Sequence, residues 1–250
     1  MFRTLLVVLL VAVMTGSTVF AEEVRVGGGG ASINTVFKPV KPHFEKATGL
    51  NMALFESTPK SGLIDLLQGK VDVAVAAVSL ESMVQGVVKD GVSVDASTLQ
   101  QVAVAKNRTA VFLHKDIPMK ALPSRLLKDL FTGKVTNWKE IGGNDIPVTV
   151  VWGKSTPGQN GLFIKEVLEG LEVTKNAFEA TNYISIKEKV ASTPGAIGID
   201  PIGLADDSVN IPDSPRVYSP VIMVTKGTPS AAVNKLIDYV KGEGKKYVMK

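Results

Sequence analysis

Short apolar runs alternate along the chain with segments in which apolar residues recur at helical spacing. The runs predict strands at residues 24–26, 50–55, 71–78, 101–106, 110–113, 148–152, 196–199 and 217–224. The spaced segments predict helices at residues 33–48, 63–68, 123–131, 162–171 and 231–241. Strands that alternate with helices are typical of α/β proteins with a mostly parallel sheet. We therefore predict an α/β fold.

The first 21 residues have the pattern of an export signal. Arg3 precedes an unbroken apolar run at residues 5–14, and Val19 and Ala21 fit the small-residue positions of a signal-peptidase site. The run is shorter than the about 20 apolar residues that span a bilayer, and an uncleaved interfacial anchor is the alternative. We expect the mature protein to begin at Glu22, to reside in the periplasm and to have no stable membrane insertion after cleavage.

Composition excludes several classes of function. The 250 residues contain no cysteine, which rules out disulfide scaffolds, cysteine-ligated metal sites and thiol nucleophiles. The 28 Lys and Arg against 24 Asp and Glu leave a net charge of +4 without a basic run, so we expect no nucleic-acid partner. His43 and His114 lack ligand spacing, and no catalytic triad or paired carboxylates stand out. We expect a monomer that is not an enzyme and that holds no metal or cofactor.

Three predicted strands end in glycine and hydroxyl residues where a helix begins, at residues 27–32, 57–62 and 155–161. The first turn of a helix has backbone N–H groups without intrahelical acceptors and a partial positive charge. Glycine lets the backbone approach a ligand, and hydroxyls add donors, so three such loops at one cleft would bind an anion. For each loop taken alone, ordinary helix capping is the favoured explanation.

Three segments resemble the periplasmic phosphate-binding proteins of ABC importers, the PstS-like family. Residues 127–138, read as LKDLFTGKVTNW, are similar to the family segment "l-x-x-i-F-x-G-k-i-t-n-W". Residues 194–199, PGAIGI, resemble its "pGaIGY" strand, and residues 221–226 resemble its returning crossover strand. The resemblance extends over most of the mature chain. It implies a type II two-lobed binding-protein fold, with a ligand cleft between lobes that two crossover strands join near residues 104–111 and 213–221.

The resemblance also implies a division of the chain and a ligand site. Residues 22–105 would form the first part of lobe 1, residues 106–215 lobe 2 with the hinge strands, and residues 216–250 the return to lobe 1. The three loops correspond to the family's "G-A-t/s", "G-S-g-S-G" and "R-x-S-G-S-G-T" loops. The implied ligand contacts are Gly30, Ala31, Ser32, Ser57, Thr58, Ser61, Gly62, Ser155, Thr156, Gly158 and Gln159.

Three departures from the family pattern fall within this site. Gly153 stands where the family has an arginine, Gln159 stands where it has a threonine, and residues 77–79 (Ala-Val-Ser) stand where it has an acidic hydrogen-bond acceptor. An arginine supplies a permanently charged bidentate clamp, and a carboxylate accepts the proton of a protonated oxyanion. The departures therefore predict weaker anion binding or a change of ligand.

Three other side chains near these loops have two interpretations each. Lys60 or Lys154 would restore positive charge, or would simply be solvated loop lysines. Trp152 would stack on a planar ligand, or would pack in the core or hinge.

Taken together, these features predict a periplasmic solute-binding protein that captures a small anion, phosphate by resemblance, and delivers it to an ABC permease. The alternative is a ligand-sensing protein of the same fold that signals to a membrane receptor. An enzyme on the same two-lobed fold is the third hypothesis, and it lacks an evident acid, base or nucleophile.

Overall fold

A single mixed sheet of eight strands extends through the molecule, which a computed structural model describes over residues 22–249. The predicted signal peptide lies outside the described residues. The strands are β1 (Glu23–Gly29), β2 (Asn51–Ser57), β3 (Val73–Ala76), β4 (Leu99–Leu113), β5 (Thr149–Gly153), β6 (Phe178–Ala180), β7 (Ala196–Pro201) and β8 (Val217–Lys226). Their order is β2-β1-β3-β8-β4-β7-β5-β6. Only the outer trios are parallel, and the pairs in the centre are antiparallel.

Helices follow most of the strands and cover both faces of the sheet. They are α1 (Gly30–Ser32), α2 (Lys38–Thr48), α3 (Pro59–Leu67), α4 (Leu80–Lys89), α5 (Ser124–Phe131), α6 (Pro157–Glu166), α7 (Tyr183–Ser192) and α8 (Ala231–Lys241). A π-helical segment, Ile33–Phe37, joins α1 to α2, and 3₁₀ turns lie at Ala96–Thr98, Trp138–Ile141, Ile202–Leu204 and Glu243–Tyr247. Within residues 22–249, none of these helices combines the length and the apolar character needed to cross a bilayer.

The long strands β4 and β8 connect the two halves of the sheet. They pair with each other from Leu99 opposite Lys226 to Thr109 opposite Val217, with an irregularity between Ala103 and Ala105. On β8, only the last part of the strand pairs with β3. On β4, only the last part pairs with β7. The ribbon is therefore the sheet's connection between the halves, and its bulge is a place where twist can change locally.

Each half of the molecule has helices on both faces of its part of the sheet. In the first half, Phe44 and Leu236 lie in the core on one face, and Leu63 and Met83 lie in the core on the other. In the second half, one core includes Phe131, Phe163 and Val217, and the opposite core includes Ile186, Val190 and Phe112. We therefore keep the division into lobes, at residues 22–105, 106–215 and 216–250, as our proposal.

Some predicted elements differ from those observed. The strands predicted at 101–106 and 110–113 are one strand, because the polar residues 106–109 between them also pair with β8. Helices α4 and α7 and the short β6 lie in segments without a predicted element. Helix α6 begins five residues earlier than predicted because its first turn, Pro157 to Gly161, is polar and glycine-rich and so has no apolar periodicity.

Candidate functional site

The cleft between the lobes lies at the carboxyl ends of β1 and β3 on one side and of β5 and β7 on the other. Across it, one group of residues from the first lobe faces another from the second lobe and the hinge strand β4. These residues are Gly29, Ala31, Pro59, Ala77 and Val78 on one side and Asn107, Gly158, Gln159 and Tyr183 on the other. The cavity between them has a volume of about 10 Å³. That is about the space of one water molecule, so the two lobes are closed on each other.

Two contacts close the cleft. A β-carbon on Gly158 would overlap Cγ1 of Val78, so the first turn of α6 sits directly against the end of β3. On the other side, the ring of Tyr183 lies 3.1 Å from the position that a β-carbon on Gly30 would take, and it packs in a small apolar cluster with Ala31 and Leu204. Both contacts depend on a glycine, and both connect the lobes.

The first loop contains a buried hydroxyl without a partner. Gly28 has a φ of +137°, and a β-carbon there would overlap the carbonyl oxygen of Val75, so only glycine fits at this turn into α1. Within the described residues, Ser32 Oγ is buried and has no hydrogen-bond partner. The predicted residues Gly30, Ala31 and Ser32 all lie in this first helical turn.

A carboxylate also lies beside the first loop. Oε1 of Glu56, near the end of β2, is 2.7 Å from the position of a β-carbon on Gly30. The negative charge of this carboxylate cancels part of the positive potential at the start of the helix. It therefore lowers the electrostatic attraction of the loop for a dianion.

In the second loop, most predicted contacts hydrogen-bond with one another. Thr58 caps α3, because its Oγ1 accepts the Ser61 N–H at 3.1 Å, and the two hydroxyls are 3.0 Å apart. Ser57 Oγ donates to the Thr58 carbonyl at 3.3 Å. The Gly62 N–H donates to the same carbonyl at 2.9 Å, and a β-carbon on Gly62 would lie 2.5 Å from Gly28 Cα. Gly62 thus lets α3 pack against β1.

The third loop has no room for the arginine that the family carries. A β-carbon on Gly153 would overlap Thr156 Oγ1 and would lie 2.7 Å from Ile186 Cδ1. Thr156 is buried, and its hydroxyl donates to Asn160 Oδ1 at 2.8 Å, while Asn160 Nδ2 donates to the Gly153 carbonyl at 2.7 Å. The absence of the clamp is therefore built into the packing of this loop.

The remaining predicted residues of the third loop differ in what they contact. Gln159 is buried, and its Nε2 donates to the Ile199 carbonyl at 2.9 Å, which ties α6 to β7. Ser155 is exposed at the mouth of the cleft. The structure therefore brings all three loops to one cleft, but several predicted contacts already have partners within the protein.

Both candidate lysines form ion pairs. Lys60 Nζ is 2.6 Å from Asp90 Oδ2, and Lys154 Nζ is 3.7 Å from Glu179 Oε2. Trp152 packs edge-on against Phe131, with ring centroids 5.9 Å apart. This contact agrees with the packing interpretation of Trp152.

The two histidines lie apart. His43 stacks on Tyr247, and His114 Nδ1 accepts the N–H of Asp116 at 3.1 Å. Between residues 22 and 249, no group of three or more acidic, histidine or cysteine side chains comes together in a way that suits a metal ion.

Two residues of the cleft were missed by sequence reasoning. Asp200, at the end of β7, is fully buried, and within residues 22–249 neither carboxyl oxygen has a hydrogen-bond partner. Burial raises the pKa of Asp200 well above its usual value, although Lys187 opposes the shift. Burial also raises the pKa of Tyr183, and the nearby carboxylates of Asp200 and Glu56 add to that shift. The sequence did contain a sign of Asp200, because an acidic residue directly follows the apolar strand segment at 194–199.

Known proteins with the same architecture include phosphate-binding proteins. The chain is 30% identical over 198 residues to the phosphate-binding protein PstS of Bacillus subtilis (strain 168), a match that covers 73% of this chain and 63% of that relative. It is similar to a phosphate-bound structure from Clostridium perfringens, assigned as a phosphate ABC transporter substrate-binding protein, with 25% identity and a TM-score of 0.78. That match covers 91% of this chain and 96% of the other.

A third comparison concerns the fold alone. An ABC-type phosphate transport receptor from Vibrio cholerae has 20% identity and a TM-score of 0.65, and the match covers 90% of this chain and 96% of the receptor. A family model described as a PBP superfamily domain matches residues 20–243. The protein therefore belongs to the PBP superfamily and has its two-lobed α/β fold.

Proposed function

We propose that this protein captures a small anion, with phosphate as the leading ligand, between its two lobes and presents the closed form to an ABC permease. The observation that carries this proposal is that three helix-start loops meet at one cleft, and that one of them has the Ser32 hydroxyl, which has no partner among residues 22–249. The phosphate-binding relatives support it. The protein would act in the periplasm, after removal of residues 1–21, as a monomeric binding protein and not as an enzyme.

Ligand capture would work as a shift of population. The loops of the first lobe and the loop before α6 belong to different sides of the β4–β8 ribbon, so only a closed state lets both sides contact one ligand. A ligand stabilises that state by its differential affinity for it. Because the inner cavity holds only about 10 Å³, the lobes must part slightly to admit an oxyanion and then close on it.

The binding chemistry would differ from that of an arginine clamp. Gly153 has no space for a side chain, and Glu56 places negative charge beside Gly30. Neutral donors would therefore hold the anion, with Ser32 Oγ and Ser155 Oγ as the hydroxyls that have no partner within the loops. Loss of the buried Ser32 donor would cost about 1 to 3 kcal/mol of binding free energy, and loss of the exposed Ser155 donor would cost less.

Thermal unfolding tests the proposal. The protein is stripped of ligand by unfolding and refolding, and is then heated with phosphate, sulfate, molybdate, nitrate or small carboxylates at millimolar concentration. A ligand at one hundred times its dissociation constant adds about 2.7 kcal/mol of stability. A raised midpoint with phosphate supports the proposal. A response only to another anion replaces phosphate as the ligand, and no response to any of them contradicts anion capture.

Two serine variants and a control test the site. Ser32→Ala removes a buried hydroxyl that has no partner, so the unliganded variant should be at least as stable as the wild type while its response to ligand shrinks. Ser155→Ala should reduce the response by less, because Ser155 is exposed at the mouth of the cleft. Ser192→Ala, on the exposed part of α7, should leave it unchanged. Equal responses in all three variants would contradict the assignment of the site.

A further inference from the structure

The middle of the long strand β4 contains a buried asparagine that lines the inner cavity. Asn107 is 5% exposed, and it shares the cavity with Ala31 of the first loop and Gly158 of the third. It lies opposite Ser219 of β8, in a stretch of the β4–β8 ribbon that pairs with neither β3 nor β7. Asn107 therefore lies at the base of the cleft, between the helix starts of the two lobes.

The side-chain amide of Asn107 has no hydrogen-bond partner in the part of the chain that the structure describes. A carboxamide has two N–H donors and an acceptor oxygen. Buried polar side chains are normally hydrogen-bonded to protein or to water, so an amide without a protein partner at a cleft needs an explanation. A ligand that enters the cleft would supply the missing partner.

The other polar side chains of the inner cavity have fewer free groups. None of its nine described lining residues is charged, and besides Asn107 only Gln159 and Tyr183 are polar. The Gln159 amide is bonded at both ends, because Nε2 donates to the Ile199 carbonyl at 2.9 Å and Oε1 accepts from Thr109 Oγ1 at 3.4 Å. Tyr183 has a single hydroxyl. Among the described lining residues, Asn107 is thus the side chain that has both donors and an acceptor free.

The charged residues next to Asn107 are positive. Lys106 and Arg108 flank it in β4, and they line a second pocket of about 410 Å³ that Asn107 also lines. Of the described residues around this pocket, none is acidic. Positive charge at this place attracts an anion toward β4 and offsets part of the negative potential of Glu56 beside the first loop.

A carboxamide suits an oxyanion that carries a proton. Monohydrogen phosphate has one P–O–H group, whereas sulfate has none, so donors alone satisfy sulfate but phosphate also needs an acceptor. The amide can present its oxygen to the phosphate proton or, after rotation about χ2, its N–H group to a bare oxygen. One neutral side chain can therefore act as a donor and as an acceptor, the two roles of the arginine and the carboxylate that the loops of this chain lack.

We infer that Asn107 is a ligand contact of the anion site, where its amide donates to the oxyanion and accepts the proton of monohydrogen phosphate. This inference rests on the proposed function, because it adds a residue of β4 to the site that the three loops form. It also concerns specificity. A neutral amide does not repel sulfate as a carboxylate would, so the wild type should bind sulfate as well, more weakly than phosphate.

Calorimetric titration with phosphate and with sulfate at pH 8 tests the inference. Asn107→Ala should weaken phosphate binding about tenfold, because the ligand loses a buried partner. The same variant without ligand should keep the urea midpoint of the wild type, since the amide has no protein partner to lose. Gln101→Ala is the matched control. It removes an exposed amide from the same strand and should leave both affinities unchanged.

Asn107→Asp tests the acceptor role and keeps the shape of the side chain. A carboxylate accepts the proton of phosphate and repels sulfate, so the ratio of the phosphate affinity to the sulfate affinity should rise about tenfold above that of the wild type. An unchanged ratio would contradict the acceptor role. Failure of the wild type to bind sulfate would contradict it too, because a neutral amide can turn its N–H group to a bare oxyanion.

The outcomes separate this inference from the proposed function. If the wild type binds phosphate and Asn107→Ala binds it equally tightly, Asn107 is not a contact, and anion capture by the loops stands. If Asn107→Ala loses stability together with affinity, or if Gln101→Ala loses as much affinity, the amide has no specific role at the ligand and the inference fails. If the wild type binds neither anion, both proposals fail together.

Discussion

Gly158, in the first turn of α6, lies so close to Val78 at the end of β3 that no β-carbon fits between them. The two residues belong to different lobes, and both line the small inner cavity. Glycine at this position therefore determines how far the lobes can close.

Substitution of this glycine should hold the lobes apart. In Gly158→Ala the new methyl group would overlap Cγ1 of Val78, so we expect a larger radius of gyration in small-angle X-ray scattering and weaker binding of any ligand that needs closure. Gly161→Ala is the control, because it lies in the same helix and has no atom within 4 Å of the added carbon. It should raise stability by up to about 1 kcal/mol through helix propensity and leave the radius unchanged.

A second substitution checks the cause. Val78→Ala in the Gly158→Ala background removes the overlapping methyl group, and it should restore the radius of gyration of the wild type. If Gly158→Ala scatters like the wild type from the start, closure does not depend on this contact.

Tyr183 should contribute to closure on the other side of the cleft. Tyr183→Ala removes a ring that is buried against Gly30 and Ala31, and aromatic-to-alanine changes in cores cost about 3 to 5 kcal/mol. Tyr183→Phe keeps the ring, and the described residues supply no hydrogen bond to the hydroxyl, so this change should cost less than about 1 kcal/mol. Urea unfolding measures both, and similar losses in the two variants would show that the hydroxyl, not the ring, matters.

The order of elements and the position of the loops were predictable from local patterns. The terminal helix has the predicted bounds, Ala231–Lys241, and the loop segments at 27–32, 57–62 and 155–161 all reach one cleft. Apolar periodicity indicates which residues face a core, and the carboxyl ends of the strands indicate where a ligand cleft lies. The glycine-rich first turn of α6 had no such periodicity, so the start of that helix was missed.

Contacts between lobes could not be predicted in the same way. Tyr183 is distant in sequence from the first loop, and it approaches that loop only after the β4–β8 ribbon sets the position of the second lobe. Asp200 lies near Tyr183 in the second lobe. Glu56, by contrast, belongs to the first lobe, where β2 pairs it with Gly28 of β1. Gly153 shows the limit of a family pattern, because a missing arginine looks like an open position in the sequence. The structure shows instead that Thr156 and Ile186 occupy the space.

Two of the segments that carry the family resemblance meet in the fold. The Trp138 indole N–H donates to the Gly195 carbonyl at 2.9 Å, and both groups are buried. Trp138→Phe should therefore leave a buried carbonyl without its donor and cost about 1 to 3 kcal/mol, beyond the loss from the smaller ring. Trp152→Phe is the matched control in the same core, because Trp152 has no hydrogen bond to a described residue. A urea-unfolding loss no greater than that of the control would contradict a role for the bond.

Asp200 should make the protein less stable as the pH rises. Its burial raises its pKa in the folded state above 3.8, the value for an unperturbed aspartate, so between these two values the folded protein binds more protons than the unfolded chain. The free energy of unfolding therefore falls as the pH rises through this range, by about 1.4 kcal/mol for each unit of the shift. Below both values, the protonated carboxyl has no such effect.

Asp200→Asn removes the titration and keeps the shape of the side chain. Measured by urea unfolding from pH 4 to pH 8, the variant should gain stability relative to the wild type as the pH rises. Only the wild type has a buried carboxyl that must either ionise or stay protonated at a pH where the same group is ionised in the unfolded chain. Asp207→Asn, an exposed position on the following loop, should run parallel to the wild type across the same range. Parallel curves for Asp200→Asn as well would mean that the buried carboxyl keeps an ordinary pKa, in contradiction of its burial without a partner.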